Sequence, residues 1–541
     1  LRIRIYIMSE KEYIVSLNKG VDYAQFNQEM IASTGAGDIP NRTVDVANAR
    51  PLSERNTHYA LTDDEAVALR NDSRVLDVQL RPDQRDDIEI GYDAIQTADF
   101  NKSSADSGDY RDWGKIRHSF IENKYGTSTS LASNPFDRPY SMDGTGVDIV
   151  IQDSGLQVDH PEFKDANGNS RVQLIDWFAE SGVGSTQDPN HYRDTDGHGT
   201  HCGGTAAGLN FGWAPNARIY SVKLSGLEGS GDSGTGISVI NAFDIIKGWH
   251  QNKPIDPKTG FKRPTIVNMS WGYSYSMGSN FSDIDSYVYR GVTYNSSTEG
   301  WSSSTSYHRD TYGFYPYYRF PTYRYPYRLA AIDLDVDSLI DAGVHVCIAA
   351  GNNSFKADTS VGPGVDYNNI IFHSGGTNNY YHRGSSPFDE KANMVGCIDS
   401  TPENATTERK TSFSTTGPGV SIFAAGENIM SCFSTTNRYT DGAYFGDSNF
   451  RVGNISGTSM ASPQVCGVGA LYLQADPSLT PIQLKKKLEN DALPVLKDES
   501  NESNYGDTTD ICGAENRLLF NRYNRANPYT SNIYGMRKKN R

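Results

Sequence analysis

Cysteine is scarce in this chain: six occur in 541 residues, and none lies among the first 201. No pair has the C-x-x-C spacing of zinc and thioredoxin motifs, which argues against both. Disulfide frameworks belong mainly to small secreted domains, so they are the less favoured alternative. We predict buried free thiols, since several lie in apolar runs such as residues 344–348. The six are Cys202, Cys347, Cys397, Cys432, Cys466 and Cys512.

Long apolar runs and excess positive charge are also lacking. No run approaches the ~18 apolar residues that a membrane helix needs, so no membrane partner is expected. Lys+Arg is 50 against 65 for Asp+Glu, and the formal net charge of −15 argues against a nucleic-acid partner. Hydrophobic residues are 37% of the chain, which is enough for a sizeable core and excludes wholesale disorder.

The start of the chain lacks a recognisable secretion signal, which would combine a cationic start with about 7–15 apolar residues. Residues 1–7 instead alternate arginine with apolar residues, and polar residues follow Met8, which fits a natural start. We therefore expect an intracellular or particle-associated protein in preference to a secreted one. Loss of a signal is the alternative.

The first hundred residues divide by pattern into a tail, residues 1–10, and a small unit, residues 11–84. Strand-like runs and amphipathic helices, one opening at Thr62, predict a ferredoxin-like α+β fold for this unit. Residues 85–112 are acidic with few large apolar side chains, which predicts a linker. At the other end of the chain, residues 525–541 are predicted to be a solvated basic tail.

Beyond residue 113, near-continuous apolar runs alternate with helical patterns. This alternation favours an α/β fold with a doubly wound, mainly parallel sheet and helices on both faces. Active sites in such sheets form at the carboxyl ends of strands. The apolar runs are 147–151, 219–224, 265–269, 344–350 and 394–398, and the helical stretches are 236–249, 334–342 and 459–474.

One segment, residues 273–330, interrupts this alternation and carries 13 of the 33 tyrosines. Unstructured loops of this length are uncommon in compact domains unless they function or are disordered. We predict an insertion on the active-site face, outside the core, that modulates access or binds a partner assembly, because Tyr and Arg are typical of binding loops. The alternative is a satellite core of tyrosines.

Three separated segments supply the parts of a hydrolytic triad. Asp153 ends the first apolar strand, His198 lies between glycines at a predicted helix start, and Ser459 lies in the first turn of an apolar helix. Where such ends converge, the serine attacks, the histidine takes its proton and the aspartate orients the imidazole. Each residue alone has a common structural role as a cap or turn. Together they follow the order Asp…His…Ser that is typical of subtilisin.

These motifs resemble those of the subtilisin-like serine protease (subtilase) family, and the resemblance covers about residues 113–524. It implies Asp153 as the orienting acid, His198 as the general base and Ser459 as the nucleophile. A segment ending in Asn352 is similar to the one whose asparagine donates into the oxyanion hole, which implies that role here. No cofactor is implied for the chemistry.

The resemblance also implies a peptide-binding cleft. Residues 268–272 resemble the strand that pairs with an extended substrate, and residues 227–231 resemble the strand opposite it. Residues 361–363 look like the wall of the first specificity pocket. The implied substrate-binding residues are Gly229, Ser270, Trp271, Gly272, Ala350, Gly351 and Gly362.

Residues 12–82 resemble the inhibitory and chaperoning prosegment of the same family. This implies a zymogen that is cleaved in the linker before residue 113, with the prosegment and peptide or protein substrates as partners. Cys202 is similar to the free thiol of the proteinase-K-like branch. Glu162 lies where many subtilisins place a calcium ligand, but the loop that would complete the site is short. A structural calcium ion is therefore left without an assigned site.

Three acidic residues of a predicted helix mimic the start of a calcium-binding loop, but no glycine follows at the sixth position. We predict a solvated helix face for them and no metal site. They are Asp333, Asp335 and Asp337.

Taken together, the motifs predict a serine endopeptidase of subtilisin type that forms an acyl-enzyme on Ser459. The alternative is a structural or particle-associated interaction protein on a subtilase scaffold, with latent or self-directed proteolysis, which the aromatic segment 273–330 would favour. Intact residue types at all four catalytic positions favour the enzyme.

Overall fold

A seven-stranded parallel sheet forms the main body of the protein, and a smaller α+β unit precedes it. The predicted α/β class is confirmed. The computed structural model describes residues 10–32, 37–50, 52–53, 55–85, 88–91, 95–96, 113–124, 141–227, 235–278, 283–319, 322–360, 365–374, 378–499, 505 and 507–523.

The strands of this part of the chain are numbered in sequence order. They are β1 (Lys11–Leu17), β2 (Val46–Asn48), β3 (Asn56–Leu61), β4 (Val75–Leu80), β5 (Ile88–Gly91), β6 (Ile95–Gln96), β7 (Asp148–Asp153), β8 (Val172–Gln173), β9 (Arg218–Lys223), β10 (Thr265–Met269), β11 (Gly272–Ser276), β12 (Ile284–Tyr289), β13 (Val292–Asn295), β14 (Tyr317–Arg319), β15 (Thr322–Pro326), β16 (His345–Ala349), β17 (Ile370–His373), β18 (Asn378–Tyr380), β19 (Asn393–Ile398), β20 (Ile422–Ala425), β21 (Ile429–Phe433), β22 (Gly442–Tyr444) and β23 (Asp447–Ser456).

The helices are numbered in the same way. They are α1 (Tyr23–Ile31), α2 (Asp63–Leu69), α3 (Trp113–Arg117), α4 (Trp177–Ser181), α5 (His198–Ala207), α6 (Val239–Asn252), α7 (Thr305–Tyr312), α8 (Ala330–Asp341), α9 (Thr458–Ala475) and α10 (Pro481–Asp491). None of these helices has both the length and the apolar character that crossing a membrane requires.

The N-terminal unit has the β-α-β-β-α-β order of a ferredoxin-like arrangement. Its sheet has the order β2-β3-β1-β4, and every pair is antiparallel. The central strand β1 is buried on both faces, because side chains alternate across a strand. Val15 and Leu17 pack with α1 and α2, whereas Ile14 packs with Ile240 of α6 and Ala331 of α8. The second face of the small sheet therefore lies against the main body.

A buried arginine crosses this contact. The guanidinium of Arg50 donates to the carboxylate of Asp244 on α6 (2.6 and 3.1 Å) and to that of Asp335 on α8 (3.1 Å). Asn56 also donates to Asp335 (3.0 Å). Because the guanidinium and both carboxylates are almost wholly buried, the contact requires matched charges from two distant parts of the chain.

The prediction of a solvated acidic face on α8 is wrong. Asp335 is buried, because the N-terminal unit covers that side of the helix. Asp333 accepts hydrogen bonds from Arg328 (2.6 Å) and from the hydroxyl of Ser386 (2.7 Å). These carboxylates have protein cations and donors as partners, so they stabilise packing instead of facing water.

The main sheet has the order β20-β19-β16-β10-β7-β9-β8, and every pair is parallel. Its strands are buried on both faces, which explains their near-continuous apolar sequences. In β7, Ile149 and Ile151 belong to the core that includes α5 and α9, whereas Val150 belongs to the core that includes α6 and α8.

The Tyr-rich insertion belongs to the core, so the prediction that it lies outside is wrong. Tyr287 and Tyr325 are fully buried in the same apolar cluster as Val267 and Ile348 of the main sheet. The hydroxyl of Tyr325 has His373 as its hydrogen-bond partner (3.0 Å). Each aromatic ring buries a large area while its hydroxyl keeps a polar partner, so tyrosines can build a core.

All six cysteines are buried and free, as predicted. Burial raises the pKa of the thiols of Cys202, Cys397, Cys432 and Cys466 well above the ordinary value, and raises that of Cys512 to about 12. These thiols therefore stay protonated at neutral pH.

Replacing Tyr287 by alanine should lower the free energy of unfolding by about 3–5 kcal/mol, because the lost ring leaves a cavity in the core. Tyr318→Ala is the matched control, since this residue is 54% exposed, and its effect should stay within about 0.5 kcal/mol. Thermal unfolding followed by circular dichroism measures both. Equal shifts in the two variants would contradict a core role for the insertion.

Candidate active site

Three neighbouring parallel strands bring predicted site residues to one edge of the main sheet. β7 ends at Asp153, β10 ends immediately before Ser270, and β16 ends three residues before Asn352. Helices α5 and α9 begin at the same edge, with His198 and Ser459 in their first turns. Parallel strands put their carboxyl ends together, so residues far apart in sequence meet here.

Asp153 and His198 form a buried hydrogen-bonded pair. The Nδ1 atom of His198 lies 2.9 Å and 3.1 Å from the two carboxylate oxygens of Asp153. The backbone N–H of Ser154 donates to the same carboxylate (2.7 Å). This arrangement assigns the imidazole proton to Nδ1 and leaves Nε2 as the basic nitrogen.

A second carboxylate, Asp194, which the sequence analysis missed, holds this pair in place. Asp194 accepts hydrogen bonds from the N–H of Gly197 (2.9 Å), the N–H of Thr200 (2.9 Å) and the hydroxyl of Ser154 (2.9 Å). It therefore joins the start of α5 to the residue after Asp153. An acidic residue in front of a helix is a recognisable signal, and it could have been read from the sequence.

The helix that carries Ser459, α9, is attached to the sheet through a backbone carbonyl that makes no hydrogen bond within the helix. Pro463 has no N–H, so it cannot bond the carbonyl of Ser459 one turn earlier in α9. That carbonyl accepts instead from the hydroxyl of Ser270 (2.9 Å) and the thiol of Cys202 (3.4 Å). The Oγ atom of Ser459 donates to the carbonyl oxygen of Ser270 (3.1 Å).

Cys202 contacts both the residue predicted as the base and the residue predicted as the nucleophile. Its sulfur lies 3.8 Å from Nδ1 of His198 and 3.4 Å from the carbonyl oxygen of Ser459. The pKa of this thiol is raised by burial and then by the negative charge of Asp153. A protonated thiol fills the space behind the imidazole without adding charge to it.

Asn352 is held by the residue that precedes the nucleophile. Its side-chain oxygen accepts from the N–H (2.8 Å) and the hydroxyl (2.9 Å) of Thr458. The N–H of Gly351 donates to the same hydroxyl (3.1 Å). Because Thr458 holds the oxygen of this amide, Nδ2 is the end of the Asn352 side chain that can donate to an oxyanion. The N–H of Ser459 lies in the first turn of α9, where the helix itself supplies no acceptor.

The predicted substrate-binding residues have different outcomes. Ser270 lies beside Ser459, and Gly272 begins β11. The side chain of Trp271 is part of the core, because its ring is buried and its Nε1 donates to Gln152 (3.2 Å). Ala350 and Gly351 follow the last residue of β16 and precede Asn352. Gly229 and Gly362 lie outside the described residues, and the substrate roles of the whole set stay predictions.

A segment that the sequence predicts to be a linker pairs with two strands that adjoin the site: β11 begins two residues after Ser270, and β23 ends three residues before Ser459. In β5, Gly91 pairs with Gly272 of β11, and in β6, Ile95 pairs with Ser456 at the end of β23. Both pairings are antiparallel. The alternation of Ile88, Glu89 and Ile90 is a strand signal that the acidic composition of the segment obscured.

Among the described residues, one group of His, Cys and acidic side chains could hold a metal ion. It consists of Asp153, His198 and Cys202, whose ligand atoms lie within 4.8 Å of one another. A cation there would bind the atoms that catalysis requires. The carboxylate of Glu162 accepts hydrogen bonds from Asn210 (2.7 and 2.8 Å) and from the hydroxyl of Tyr444 (2.9 Å). Because both of its oxygens already have hydrogen-bond donors as partners, this carboxylate suits a structural role better than calcium binding.

The subtilase family profile matches residues 144–536, which include all four predicted catalytic residues. The chain belongs to the subtilase family. It is 24% identical over 400 residues to a cuticle-degrading serine protease of Arthrobotrys oligospora, covering 73% of this chain and 67% of that one. It is 26% identical over 462 residues to alkaline serine exoprotease A of Vibrio alginolyticus, covering 85% and 57%. The chain thus spans about half to two thirds of these relatives.

The solved structure of fervidolysin from Fervidobacterium pennivorans, a keratinolytic enzyme related to subtilisin, shares the fold. The TM-score is 0.50 at 17% identity, and the match covers 97% of this chain and 62% of fervidolysin. At this identity, the likeness bears on the fold of this subtilase alone.

Asn352→Ala should lower kcat of this subtilase by about 10²–10³-fold and leave KM nearly unchanged, because the amide would bond the substrate oxygen only once negative charge develops. The magnitude is the one known for the corresponding donor of subtilisin. Steady-state kinetics on a chromogenic peptide measures it. Asn352→Asp, which keeps the shape and loses the donor, should not restore kcat, and a loss confined to KM would contradict the role.

Organic mercurials should inhibit this subtilase slowly, because an adduct on the buried thiol of Cys202 would push against His198. Cys202→Ala, compared with its own untreated activity, should resist the reagent, whereas the matched Cys397→Ala should remain sensitive. Residual activity against incubation time measures the effect. Full wild-type activity in excess mercurial, with six thiols titrating after denaturation, would contradict this expectation.

Proposed function

We propose that this subtilase is a serine endopeptidase. The observation that carries the proposal is the buried Asp153–His198 pair beside Ser459 at the start of α9. Oγ of Ser459 donates to the carbonyl of Ser270 in this structure, and catalysis requires a rotamer in which it donates to Nε2 of His198 instead. In that position the hydroxyl can lose its proton to the imidazole as it attacks a peptide carbonyl.

The reaction then runs through two tetrahedral intermediates. Attack places a negative charge on the former carbonyl oxygen, which the Asn352 amide and the N–H of Ser459 stabilise. His198 gives its proton to the leaving amine, and an ester remains on Ser459. Water, deprotonated by His198, attacks this ester and releases the acid product while the proton returns to Ser459. Asp153 keeps the imidazole oriented throughout, and no step uses a cofactor.

We also propose that the chain is a zymogen whose N-terminal unit blocks the cleft. The support is the pairing of β5 with β11 and of β6 with β23, two strands that adjoin Ser270 and Ser459. The buried contact of Arg50 with Asp244 and Asp335 supports docking of the unit on α6 and α8. Peptide and protein substrates, and this unit itself, are the partners that the proposal includes.

Self-cleavage should occur at one of the four peptide bonds between Gly91 and Ile95, because these two residues are paired with strands that adjoin Ser270 and Ser459. Wild-type protein should therefore yield a chain that begins between Tyr92 and Ile95. Ser459→Ala should stay uncut and should hydrolyse no peptide. N-terminal sequencing and intact mass measure both.

The matched control for this experiment is Ser478→Ala, which changes an exposed serine after the same helix and should process like wild type. The same uncut N-terminus and the same peptide hydrolysis in wild type and Ser459→Ala would overturn the enzyme proposal. The alternative function, an interaction protein on a subtilase scaffold, is not favoured. Tyrosines of the insertion such as Tyr287 and Tyr325 are buried and pack in the core, so they are not a surface for a partner.

A further inference from the structure

Helix α5 begins at the predicted base, His198, whose N–H group needs an acceptor from outside the helix backbone. The residue that caps the helix, Gly197, has no side chain that could accept it. The N–H of His198 donates instead to the carboxylate of Asp196 (3.2 Å). Asp196 therefore holds the backbone of the base itself, whereas Asp194 accepts from neighbouring N–H groups.

The carboxylate of Asp196 is wholly buried, and an arginine from a distant part of the chain forms an ion pair with it. Nε of Arg438 lies 2.9 Å from Oδ2 of Asp196, and the arginine side chain is 35% exposed. The backbone N–H of Arg438 also donates to the carbonyl oxygen of Asp196 (3.1 Å). A buried carboxylate without a cation carries a large desolvation cost, so Arg438 allows this one to stay beside His198.

Arg438 lies in a turn between β21 and β22 whose own contacts hold it in place. Asn437 accepts from the N–H of Tyr439 (2.9 Å), and the ring of Tyr439 is stacked on that of Phe433, with the centroids 5.1 Å apart. The same turn touches the glycine before the base, because a Cβ atom on Gly197 would lie 2.5 Å from Cβ of Asn437. The cation is therefore presented by a turn that packs directly against the start of α5.

We propose that Arg438 is a positioning residue for catalysis, which acts on the base through Asp196. The guanidinium fixes the carboxylate of Asp196, and this carboxylate fixes the backbone of His198. The imidazole then keeps its orientation between Asp153 and Ser459. The inference rests on the proposed endopeptidase function, and it adds a residue far along the chain from the base.

Loss of this cation should slow the chemical step more than it weakens substrate binding, because the imidazole acts in proton transfer. Without Arg438, the buried carboxylate of Asp196 turns towards water or takes up a proton, and both changes weaken its bond to the N–H of His198. The imidazole would then adopt orientations that cannot accept the proton of Ser459. Misplacement of a reacting group by ~1 Å can lower a rate by about 10²-fold.

Steady-state kinetics of Arg438→Ala on a chromogenic peptide tests the proposal, after intact mass has shown the same N-terminus as in wild type. kcat should fall by about 10–10²-fold, and KM should stay within about threefold of wild type. Arg438→Lys, which keeps a cation, should lose less than about fivefold in kcat. The matched control is Arg522→Ala, which removes a side chain of similar exposure (27%) from an ion pair with Asp491 on α10. Its kcat should stay within about twofold of wild type.

Chemical rescue separates positioning from a general loss of stability. About 20 mM guanidinium chloride should raise kcat of Arg438→Ala at least about threefold over the same concentration of sodium chloride, since the ion can reach Asp196 through the exposed site. The double variant Asp196→Asn/Arg438→Ala has no carboxylate for the ion, so it should show no rescue. Thermal unfolding followed by circular dichroism measures whether each variant is folded at the assay temperature.

The outcomes separate this proposal from the one it rests on. A loss of kcat that guanidinium restores only when Asp196 is present would support the role of Arg438. An unchanged kcat, a loss confined to KM, absence of rescue, or equal rescue of the single and double variants would overturn that role while hydrolysis itself stands. Hydrolysis by wild type no faster than by Ser459→Ala would overturn the proposed endopeptidase and this role with it. If Arg438→Ala does not fold, Arg438→Gln keeps most of the side-chain bulk, and the same loss of kcat at constant KM decides.

Discussion

The parallel direction of β7, β10 and β16 is the constraint on which the site depends. Asp153, Ser270 and Asn352 follow these strands, and they meet only because all three strands end at the same edge. In an antiparallel sheet, neighbouring strands would end at opposite edges. The direction is stable because each strand is buried on both faces, with helices from two separate cores covering it.

Polar contacts position the two helices that complete the site, and these contacts are more specific than the apolar burial that stabilises the sheet. Asp194 fixes the start of α5, and the carbonyl of Ser459 fixes the start of α9 on Ser270 and Cys202. In the second case, Pro463 removes one helix bond and frees the carbonyl that the sheet then uses. A proline inside a helix normally weakens it, but here the lost bond is replaced by contacts that orient the nucleophile.

The sequence predicts local features of this protein well. The strand at residues 265–269 has the predicted bounds, and Asp153 and His198 are paired as the motifs imply. These features depend on neighbours in sequence, through apolar patterns and glycine-flanked turns. A strand that is buried on both faces and a helix that begins at a cap each require characteristic residue types. A single sequence is therefore enough to recognise them.

What the sequence did not reveal depends on partners far along the chain. Arg50 and Asp244 are 194 residues apart, and nothing near either residue identifies the other. The burial of Asp335 and Tyr287 likewise depends on which element covers them, which side-chain periodicity does not specify. The pairing of residues 88–91 with β11 is made by backbone groups that every residue carries, so the side chains of this segment do not identify its partner strand.

The same strand edge would serve both latency and substrate binding, and this has a physical consequence for activation. Arg50 loses its hydration when it is buried with the carboxylates of Asp244 and Asp335, and this desolvation cost offsets much of the electrostatic attraction. The contact therefore orients the N-terminal unit on the main body more than it strengthens their association. In the uncut chain, the covalent connection keeps β5 at a local concentration of about millimolar or more. A cut between Gly91 and Ile95 removes that connection. Substrate and the released unit then compete for β11 as separate molecules, and dilution alone favours the active enzyme.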